Sequence, residues 1–196
     1  MDCNNMYSIF NTLKKIGYKT SIINKNKSIK NFDLVVLPGV GSYKQAMNSL
    51  KKKNMDYELL NFLEYKNRGL MGICLGMQLL FQSSEEFGKN SGLGLIEGNV
   101  KKFKKKLSKV PHIGWNKVEF KKKNSIYSNL NKKNFYFVHS FYCRPKNEKI
   151  ILSKTNYNGI KFCSSILSKN IIAVQFHPEK SGKVGVKFLQ NIHHIL

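Results

Sequence analysis

Residues 69–78 read Gly69-Leu-Met-Gly-Ile-Cys-Leu-Gly-Met-Gln78, a short apolar run that passes through a G-x-C-x-G turn. The run before Cys74 predicts a strand, and the apolar residues after it predict a helix: Leu75, Met77, Leu79, Leu80 and Phe81. A sharp strand-to-helix turn presents its middle side chain away from the backbone, and Gly72 and Gly76 permit the close crossing. The N–H that follows and the positive helix end favour a thiolate and a developing oxyanion. A lone G-x-C-x-G can equally hold a buried structural cysteine.

A second motif, Val174-Gln-Phe-His-Pro-Glu-Lys180, places His177 and Glu179 two residues apart after an apolar segment. At extended spacing both side chains point to the same side, as a base and the carboxylate that orients it do. With Cys74, the pair predicts a nucleophile, a proton shuttle and an orienting acid. The two motifs together make the purely structural interpretation of Cys74 much weaker.

This combination resembles the class I glutamine amidotransferases, a family with a Cys-His-Glu triad. The finer resemblance is to the glutaminase subunits of imidazole glycerol phosphate synthases. It is carried by six segments in order along nearly the whole chain: Leu37-Pro-Gly-Val-Gly41, Met71-Gly-Ile-Cys-Leu-Gly-Met-Gln-Leu-Leu-Phe81, Gly92-Leu-Gly-Leu-Ile96, Pro111-His-Ile-Gly-Trp-Asn116, Tyr136-Phe-Val-His-Ser140 and Gln175-Phe-His-Pro-Glu-Lys-Ser181. The fourth and fifth segments narrow the resemblance to this subunit type.

The resemblance implies glutamine hydrolysis with Cys74 as the nucleophile, His177 as the base and Glu179 as its orienting carboxylate. One oxyanion donor is expected from the N–H of Leu75. The second is expected from the loop Pro38-Gly-Val-Gly41, through Val40 or Gly41, because two glycines leave an N–H free to turn inward. Taken alone, this loop is equally a plain turn.

Six residues are expected to hold the glutamine substrate by this resemblance: Gly39, Gln78, Glu86, His139, Ser140 and Phe141. The family usually has tyrosine at position 141, so a contact there would use the backbone or the ring face. Glu86 could also be a solvated charge at a helix end, and His139 a hydrogen-bonded core histidine. The residues themselves give no argument for catalysis by His112, His193 or His194.

A partner is also implied, namely a (β/α)₈-barrel synthase or cyclase subunit that receives ammonia in a heterodimer. The expected docking residues are Trp115, Asn116 and Lys180, although an isolated Trp115 would be read as core. Ammonia protonates in bulk water and loses its nucleophilicity, so the interface should be sealed. By the same resemblance, the acceptor of ammonia is expected to bind the other subunit.

The 196 residues are 41% apolar and predict one domain, residues 1–196, with a sizeable core. No apolar run approaches the ~20 residues of a membrane span. Four cysteines without C-x-x-C spacing, one needed as a thiolate, favour a reducing cytoplasm over a disulfide framework. No His/Cys cluster has zinc spacing, and no cofactor is implied.

The formal charge is +23, from 34 basic and 11 acidic residues. Such an excess is typical of nucleic-acid or anionic-membrane binders. The only arginines are Arg68 and Arg144, and bidentate reading of phosphates and guanine depends on arginine. The lysines accompany abundant Asn and Ile, so we interpret the charge as solvated surface and expect no specific nucleic-acid partner.

The order of apolar patterns predicts an α/β fold: a mostly parallel central sheet flanked by helices, with an added antiparallel strand region. Helices are expected near residues 6–16, 43–53, 56–67 and 184–195. Strands are expected at 18–23, 34–37 and before Cys74, and six short ones after Gly92, at 95–103, 116–120, 135–139, 150–152, 160–166 and 171–176. The chain starts where the resembled proteins have the turn after their first strand. We therefore expect that strand to be missing, with the native start upstream of Met1 or a truncated, poorly stable product.

Two other functions remain open from the sequence. A close paralogue could supply ammonia for amidation of surface-polysaccharide sugars, because Lys180-Ser-Gly-Lys-Val-Gly185 and Asn4-Asn5 look somewhat like that branch. A non-catalytic basic binding protein is the second, and the intact triad argues against it. The genes beside this one would discriminate among these functions.

Overall fold

The computed structural model describes residues 3–23, 28–104, 109–121 and 125–192. The α-helices are α1 Cys3–Lys15, α2 Tyr43–Lys52, α3 Met55–Glu64, α4 Leu75–Leu79 and α5 Gly182–Gln190. The strands are β1 Leu34–Gly39, β2 Gly69–Cys74, β3 Phe81–Ser84, β4 Asn90–Ser91, β5 Ile96–Lys102, β6 His112–Phe120, β7 Lys133–His139, β8 Phe141–Pro145, β9 Ile151–Tyr157, β10 Ile160–Ser168 and β11 Ile171–Val174. Short 3₁₀ turns lie at Ile29–Asn31, Ser125–Leu130, Glu148–Ile150 and Pro178–Lys180.

The parallel part of the sheet is formed by β1, β2 and β11, with β2 between the other two. Every residue of β2 is buried. Its side chains alternate between two apolar clusters, because Leu70 packs with α2 and α3 on one face while Met71 and Ile73 pack with α1 and α5 on the other. Strands were predicted at residues 34–37 and before Cys74, and β1 and β2 confirm both predictions.

The antiparallel part continues from β11 through β10, β8 and β5, and β3 then joins β5 in parallel. Strand β9 pairs with both β10 and β6, and β6 pairs with β7, so this edge of the sheet curls back over the end of β2. The predicted antiparallel region is therefore confirmed. Among the described residues, no helix is long and apolar enough to cross a membrane.

The turn from β2 into α4 has the close crossing that the sequence predicts. A Cβ added at Gly76 would lie 1.7 Å from the carbonyl oxygen of Leu37, and one at Gly72 would lie 2.9 Å from the amide nitrogen of Met77. Cys74 has φ of +53°, a left-handed value that costs free energy in a non-glycine residue and is held by the surrounding packing. The predicted helix is shorter than expected, because α4 ends at Leu79 and Phe81 already starts β3.

The predicted strand at residues 18–23 is wrong, because those residues form no strand. The N–H of Tyr18 donates to the carbonyl of Leu13, and Gly17 at φ +98° closes α1, so the first backbone donor of the expected strand is used in a helix cap. The closing helix was predicted to reach Ile195, but α5 ends at Gln190, and residues 193–196 lie outside the described part.

Candidate active site

Cys74 lies at the end of β2 with only 6% of its surface exposed. Its thiol donates to the carbonyl of Val138 at 3.8 Å, and Nε2 of Gln175 donates to its sulfur at 3.6 Å. Both neighbours come from adjoining elements, since Val138 lies in β7 and Gln175 follows β11. The sulfur is therefore held between a hydrogen-bond acceptor and a donor.

His177 and Glu179 form a buried pair at the start of the Pro178–Lys180 turn. Nδ1 of His177 lies 2.8 Å from Oε1 of Glu179, and both side chains are fully buried. The extended spacing predicted for His177 and Glu179 is wrong, because Glu179 lies in a 3₁₀ turn. The turn nevertheless brings the two side chains together as expected.

The charge state of His177 is set by three competing influences. Burial lowers its pKa, but interactions with Cys74 and Glu179 outweigh burial and raise the pKa to about 10. Since Glu179 engages Nδ1, Nε2 is the nitrogen left for Cys74. Within the described residues Nε2 accepts and donates no other hydrogen bond, so it is free to interact with the thiol.

The turn that carries this pair is fixed to β7. The N–H of His177 donates to the carbonyl of Tyr136 at 2.9 Å, and the N–H of Tyr136 donates to Oγ of Ser181 at 3.0 Å. Oγ of Ser181 in turn donates to the carbonyl of His177 at 2.6 Å. Three bonds thus orient the imidazole, and strand β7 supplies contacts to both Cys74 and His177.

The expected oxyanion loop follows β1. Gly39 is the register partner of Cys74 in the parallel ladder, and a Cβ at Gly39 would lie 3.0 Å from Cβ of Leu75. Val40 is half-buried. Gly41 has φ of +96°, a conformation that residues other than glycine rarely adopt. The ladder therefore brings the loop beside the Cys74–Leu75 peptide.

Several of the expected substrate residues bind one another. Nε2 of Gln78 donates to the carbonyl of Phe141 and to Oε1 of Gln175, each at 3.1 Å. Nδ1 of His139 lies 2.7 Å from the same Phe141 carbonyl. His139 thus has the contacts of a hydrogen-bonded core histidine.

Ser140 is half-buried, and its carbonyl accepts a hydrogen bond from the N–H of Phe103.

His112 extends this network in a way that the sequence reasoning missed. Its Nδ1 lies 3.0 Å from Nε2 of His139, and its Nε2 lies 3.3 Å from Nδ2 of Asn116. Burial lowers the pKa of His112 to about 4 and that of His139 to about 3. Both rings are therefore neutral at pH 7, and hydrogen bonds run from Asn116 to the Phe141 carbonyl.

Glu86 is engaged at the start of a helix. Its Oε2 accepts from the N–H of Tyr43, the first residue of α2, at 2.5 Å. Helix α2 begins just after the loop at residues 38–41. A half-buried carboxylate at a helix N-terminus stabilises the exposed donors and the helix dipole there. Glu86 is therefore neither purely solvated nor free of protein contacts.

The expected docking residues lie on different faces. Trp115 is 56% exposed on the outer face of β6, where Ile113 is also exposed and the ring of Tyr136 lies 6.1 Å away. Asn116, the next residue, points to the inner face towards His112, and it also donates to the carbonyl of Asn156. Lys180 is exposed at the end of the His177 turn.

The whole chain but its last residue matches a family model. Residues 1–195 fit the description "Glutamine amidotransferase class-I". This chain is a class I glutamine amidotransferase. Within the described part of this glutamine amidotransferase, no group of three or more His, Cys, Asp or Glu side chains could hold a metal ion.

Curated relatives of the amidotransferase cover nearly its full length. The protein described as imidazole glycerol phosphate synthase subunit HisH from Chlorobium chlorochromatii is 42% identical over 188 residues, covering 95% of this chain and 93% of the relative. The subunit of the same description from Aquifex aeolicus is 41% identical, covering 95% and 90%. The one from Sulfolobus acidocaldarius is 38% identical, covering 96% and 92%.

Solved structures agree with the amidotransferase fold. A crystal structure described as a glutamine amidotransferase has a TM-score of 0.72 at 15% identity, covering 96% of this chain and 94% of the other. Another, from Thermotoga maritima, has a TM-score of 0.64 at 14% identity, covering 93% and 74%. At such low identity these likenesses concern the fold alone, a curled mixed sheet with helices on its faces.

Proposed function

We propose that this chain is the glutaminase subunit of an imidazole glycerol phosphate synthase in histidine biosynthesis. The buried His177–Glu179 pair beside Cys74 is the observation that carries the chemistry, and the relatives at about 40% identity carry the pathway. The subunit hydrolyses glutamine to glutamate and ammonia, and ammonia passes to a synthase partner. We further propose that residues 1–196 act as one domain.

The proposed reactive form is a thiolate–imidazolium pair, in which Nε2 of His177 holds the proton that Cys74 has released, in keeping with the raised pKa of His177. The thiolate attacks the side-chain amide carbon of glutamine, and the C–N bond breaks as His177 gives its proton to the departing ammonia. Water then hydrolyses the γ-glutamyl thioester. Glu179 stabilises the imidazolium through Nδ1, which agrees with the raised pKa of His177.

Oxyanion stabilisation is proposed for the N–H of Leu75 and for an N–H of Val40 or Gly41. The Gly39–Cys74 pairing supports this assignment, because it sets the loop beside the elbow. Removing one oxyanion donor typically lowers the rate by ~10²–10³. The positive φ of Gly41 makes the loop the part of this site in which a peptide can turn at low cost.

Glutamine would be held by Gly39, Gln78, Glu86, His139, Ser140 and Phe141. The hydrogen bonds among these residues indicate which atoms remain available for the substrate. Both amide hydrogens of Gln78 are engaged, so it would bind the substrate ammonium through Oε1. Glu86 uses Oε2 for α2, which leaves Oε1 for the ammonium. His139 would act indirectly, by fixing the Phe141 carbonyl.

The partner is proposed to be a (β/α)₈ barrel that docks over the outer face of β6 and β7. Trp115 supports this placement, because a large aromatic side chain that is more than half exposed is typical of an interface anchor. Ile113 and Tyr136 extend the apolar surface, and Lys180 lies at the end of the catalytic turn. Asn116 would link the docking strand β6 to the buried histidine pair through its hydrogen bond to His112.

Growth without histidine tests the pathway. A bacterial strain lacking its own glutaminase subunit should grow without histidine when this chain is expressed with its cognate synthase, and Cys74→Ala should fail to restore growth. The control is the same strain supplied with a high ammonium concentration, where Cys74→Ala should also suffice. If the wild-type pair supports no growth while the purified chain hydrolyses glutamine, the acceptor belongs to another pathway, such as sugar amidation.

A further inference from the structure

The sulfur of Cys74 has two hydrogen-bonding neighbours of opposite character. The Val138 carbonyl accepts the thiol hydrogen at 3.8 Å, and it can stabilise only the protonated sulfur. The Gln175 carboxamide donates to the sulfur at 3.6 Å, and this bond strengthens when the sulfur becomes negative. Loss of the proton to His177 therefore removes the first contact and reinforces the second.

Gln175 is held in the orientation that this donation requires. Its side chain is completely buried, and its backbone N–H donates to the carbonyl of Ser164 at 2.9 Å. Its Oε1 accepts from Nε2 of Gln78 at 3.1 Å, which leaves the NH₂ group directed towards the sulfur. Gln78 is fixed in turn by the Phe141 carbonyl. A donor held in this way needs no reorganisation when charge develops.

We propose that Gln175 is a further catalytic residue, which donates a hydrogen bond to the Cys74 thiolate, and that Gln78 is the positioning residue that aims its carboxamide. The proposal deepens the proposed function and rests on Cys74 being the nucleophile. A neutral donor suits this position because it stabilises the thiolate without adding a second positive charge beside His177. It also gives Gln78 a role in addition to contact with the substrate.

Two substitutions separate donation from packing. Gln175→Leu keeps a side chain of similar length but has no donor, and Gln175→Glu keeps the shape while replacing the NH₂ group with an acceptor. The probe is iodoacetamide, applied to the full chain from pH 5 to pH 10, with alkylation of each cysteine followed by peptide mass spectrometry. Loss of a hydrogen bond to a charged group should move the pH midpoint of Cys74 alkylation upwards by about one to two units in Gln175→Leu. Gln175→Glu should move it further.

Glutamine turnover by the complex with the synthase partner gives a second measurement. We expect kcat to fall about 10- to 100-fold in Gln175→Leu with KM changed less than twofold, since the donor acts on the sulfur and not on bound glutamine. The matched control is Ser164→Ala, which removes a buried hydroxyl bonded to Ser153 in the same core but leaves the Cys74 contacts intact. Its alkylation midpoint should equal that of the wild type.

Two labelling outcomes distinguish the role of Gln175 from the assignment of Cys74 as the nucleophile. If wild-type Cys74 is labelled selectively but both Gln175 variants keep the wild-type midpoint, Gln175 has only a packing role and the inference is wrong. If wild-type Cys74 shows no selective labelling, the nucleophile assignment itself is wrong. Thermal unfolding of each variant identifies any that fail to fold, and Gln175→Glu keeps the test decisive if Gln175→Leu does not fold.

Discussion

The backbone N–H of His177 donates to the carbonyl of Tyr136, and the side chain of Tyr136 packs against Trp115 on the outer face of the β6–β7 pair. The imidazole that is proposed to serve Cys74 is therefore attached to the strand that carries the proposed partner surface. The carbonyl of Val138, two residues further along β7, contacts the sulfur. A shift of β7 on docking would move the His177 turn and the Val138 carbonyl relative to Cys74, and this is a physical route from partner to candidate active site.

We expect Trp115→Ala to lower partner-dependent glutamine turnover at least tenfold while changing the free energy of unfolding by about 0.5 kcal/mol or less, as is usual for exposed side chains. Glutamate release should be measured with and without the partner and its acceptor, and should be slow for the isolated chain. The loop at residues 38–41 can hold its N–H groups away from the Cys74 sulfur or towards it. A partner that binds the second state more tightly by ~5 kcal/mol would shift the loop from mostly the first state to mostly the second.

The control for this substitution is Tyr57→Ala, which removes another exposed aromatic side chain, from α3. It should leave coupled turnover unchanged. Full glutaminase activity from the isolated chain would exclude activation by the partner, and equal loss in both variants would exclude the β6–β7 surface as the docking site.

Glu179→Gln should move the alkaline limb of the pH profile of kcat/KM for glutamine to lower pH. Burial lowers the pKa of His177, whereas Cys74 and Glu179 raise it to about 10, so in the wild type the imidazolium is present at pH 7 and is lost as pH rises through about 10. The stability that it contributes is complete below its ordinary pKa of about 6.5 and is lost over the same rise. Removing the carboxylate should move the upper limb of kcat/KM down by about 1–3 units. An unchanged limb would show that Glu179 does not control the imidazole.

The buried His112–His139 pair predicts acid sensitivity with the opposite sign. Burial lowers both pKa values, to about 4 and about 3, so between pH 6.5 and 4 the unfolded chain binds protons that the folded chain does not. Stability should be complete above pH 6.5 and should fall by about 1.4 kcal/mol per pH unit for each histidine as pH decreases. Urea unfolding at pH 7, 6 and 5 measures this slope.

The matched pair of variants is His112→Gln and Phe137→Leu. Phe137 stacks on the His112 ring with centroids 4.8 Å apart, so its substitution should lower stability equally at each pH and keep the slope. His112→Gln should reduce the slope by about half. An unaltered slope in His112→Gln would mean that this histidine is protonated in the folded state.

Local patterns sufficed for the features that are local in sequence. The glycines at 72 and 76 predicted the Cys74 elbow, because only residues without Cβ fit where Gly72 meets the start of α4 and Gly76 meets β1. The strand at 18–23 failed because its apolar pattern does not show whether Tyr18 is needed to cap α1. The bonds of Gln175 to Cys74 and of His112 to His139 join residues 101 and 27 positions apart. No spacing rule predicts such contacts, although alternation along β6 could have separated Asn116 from Trp115.

The lysine excess predicts weak and indiscriminate binding to nucleic acid. The lysine ion pairs Lys101–Glu85 and Lys161–Glu119 are about half exposed to solvent, and 11 acidic residues cannot pair with 34 basic ones. Binding that rests on counterion release falls steeply with salt and ignores sequence. Fluorescence anisotropy with two unrelated oligonucleotides should give equal affinities, largely lost by about 0.2 M salt. Tight binding that persists at several hundred millimolar salt would revive a nucleic-acid function.

Cys74→Ala should abolish glutamine hydrolysis while the partner continues to use added ammonium salts. A glutamine-analogue alkylator should label Cys74 and spare Cys3, Cys143 and Cys163. Burial raises the pKa of Cys163 to about 12 and that of Cys143 well above its usual range, so both remain protonated thiols that react slowly. Cys74 instead lies beside His177, which can accept its proton, and Gln175, which donates to its sulfur. Peptide mass spectrometry after limited labelling checks this, and even labelling of the cysteines would contradict an activated nucleophile.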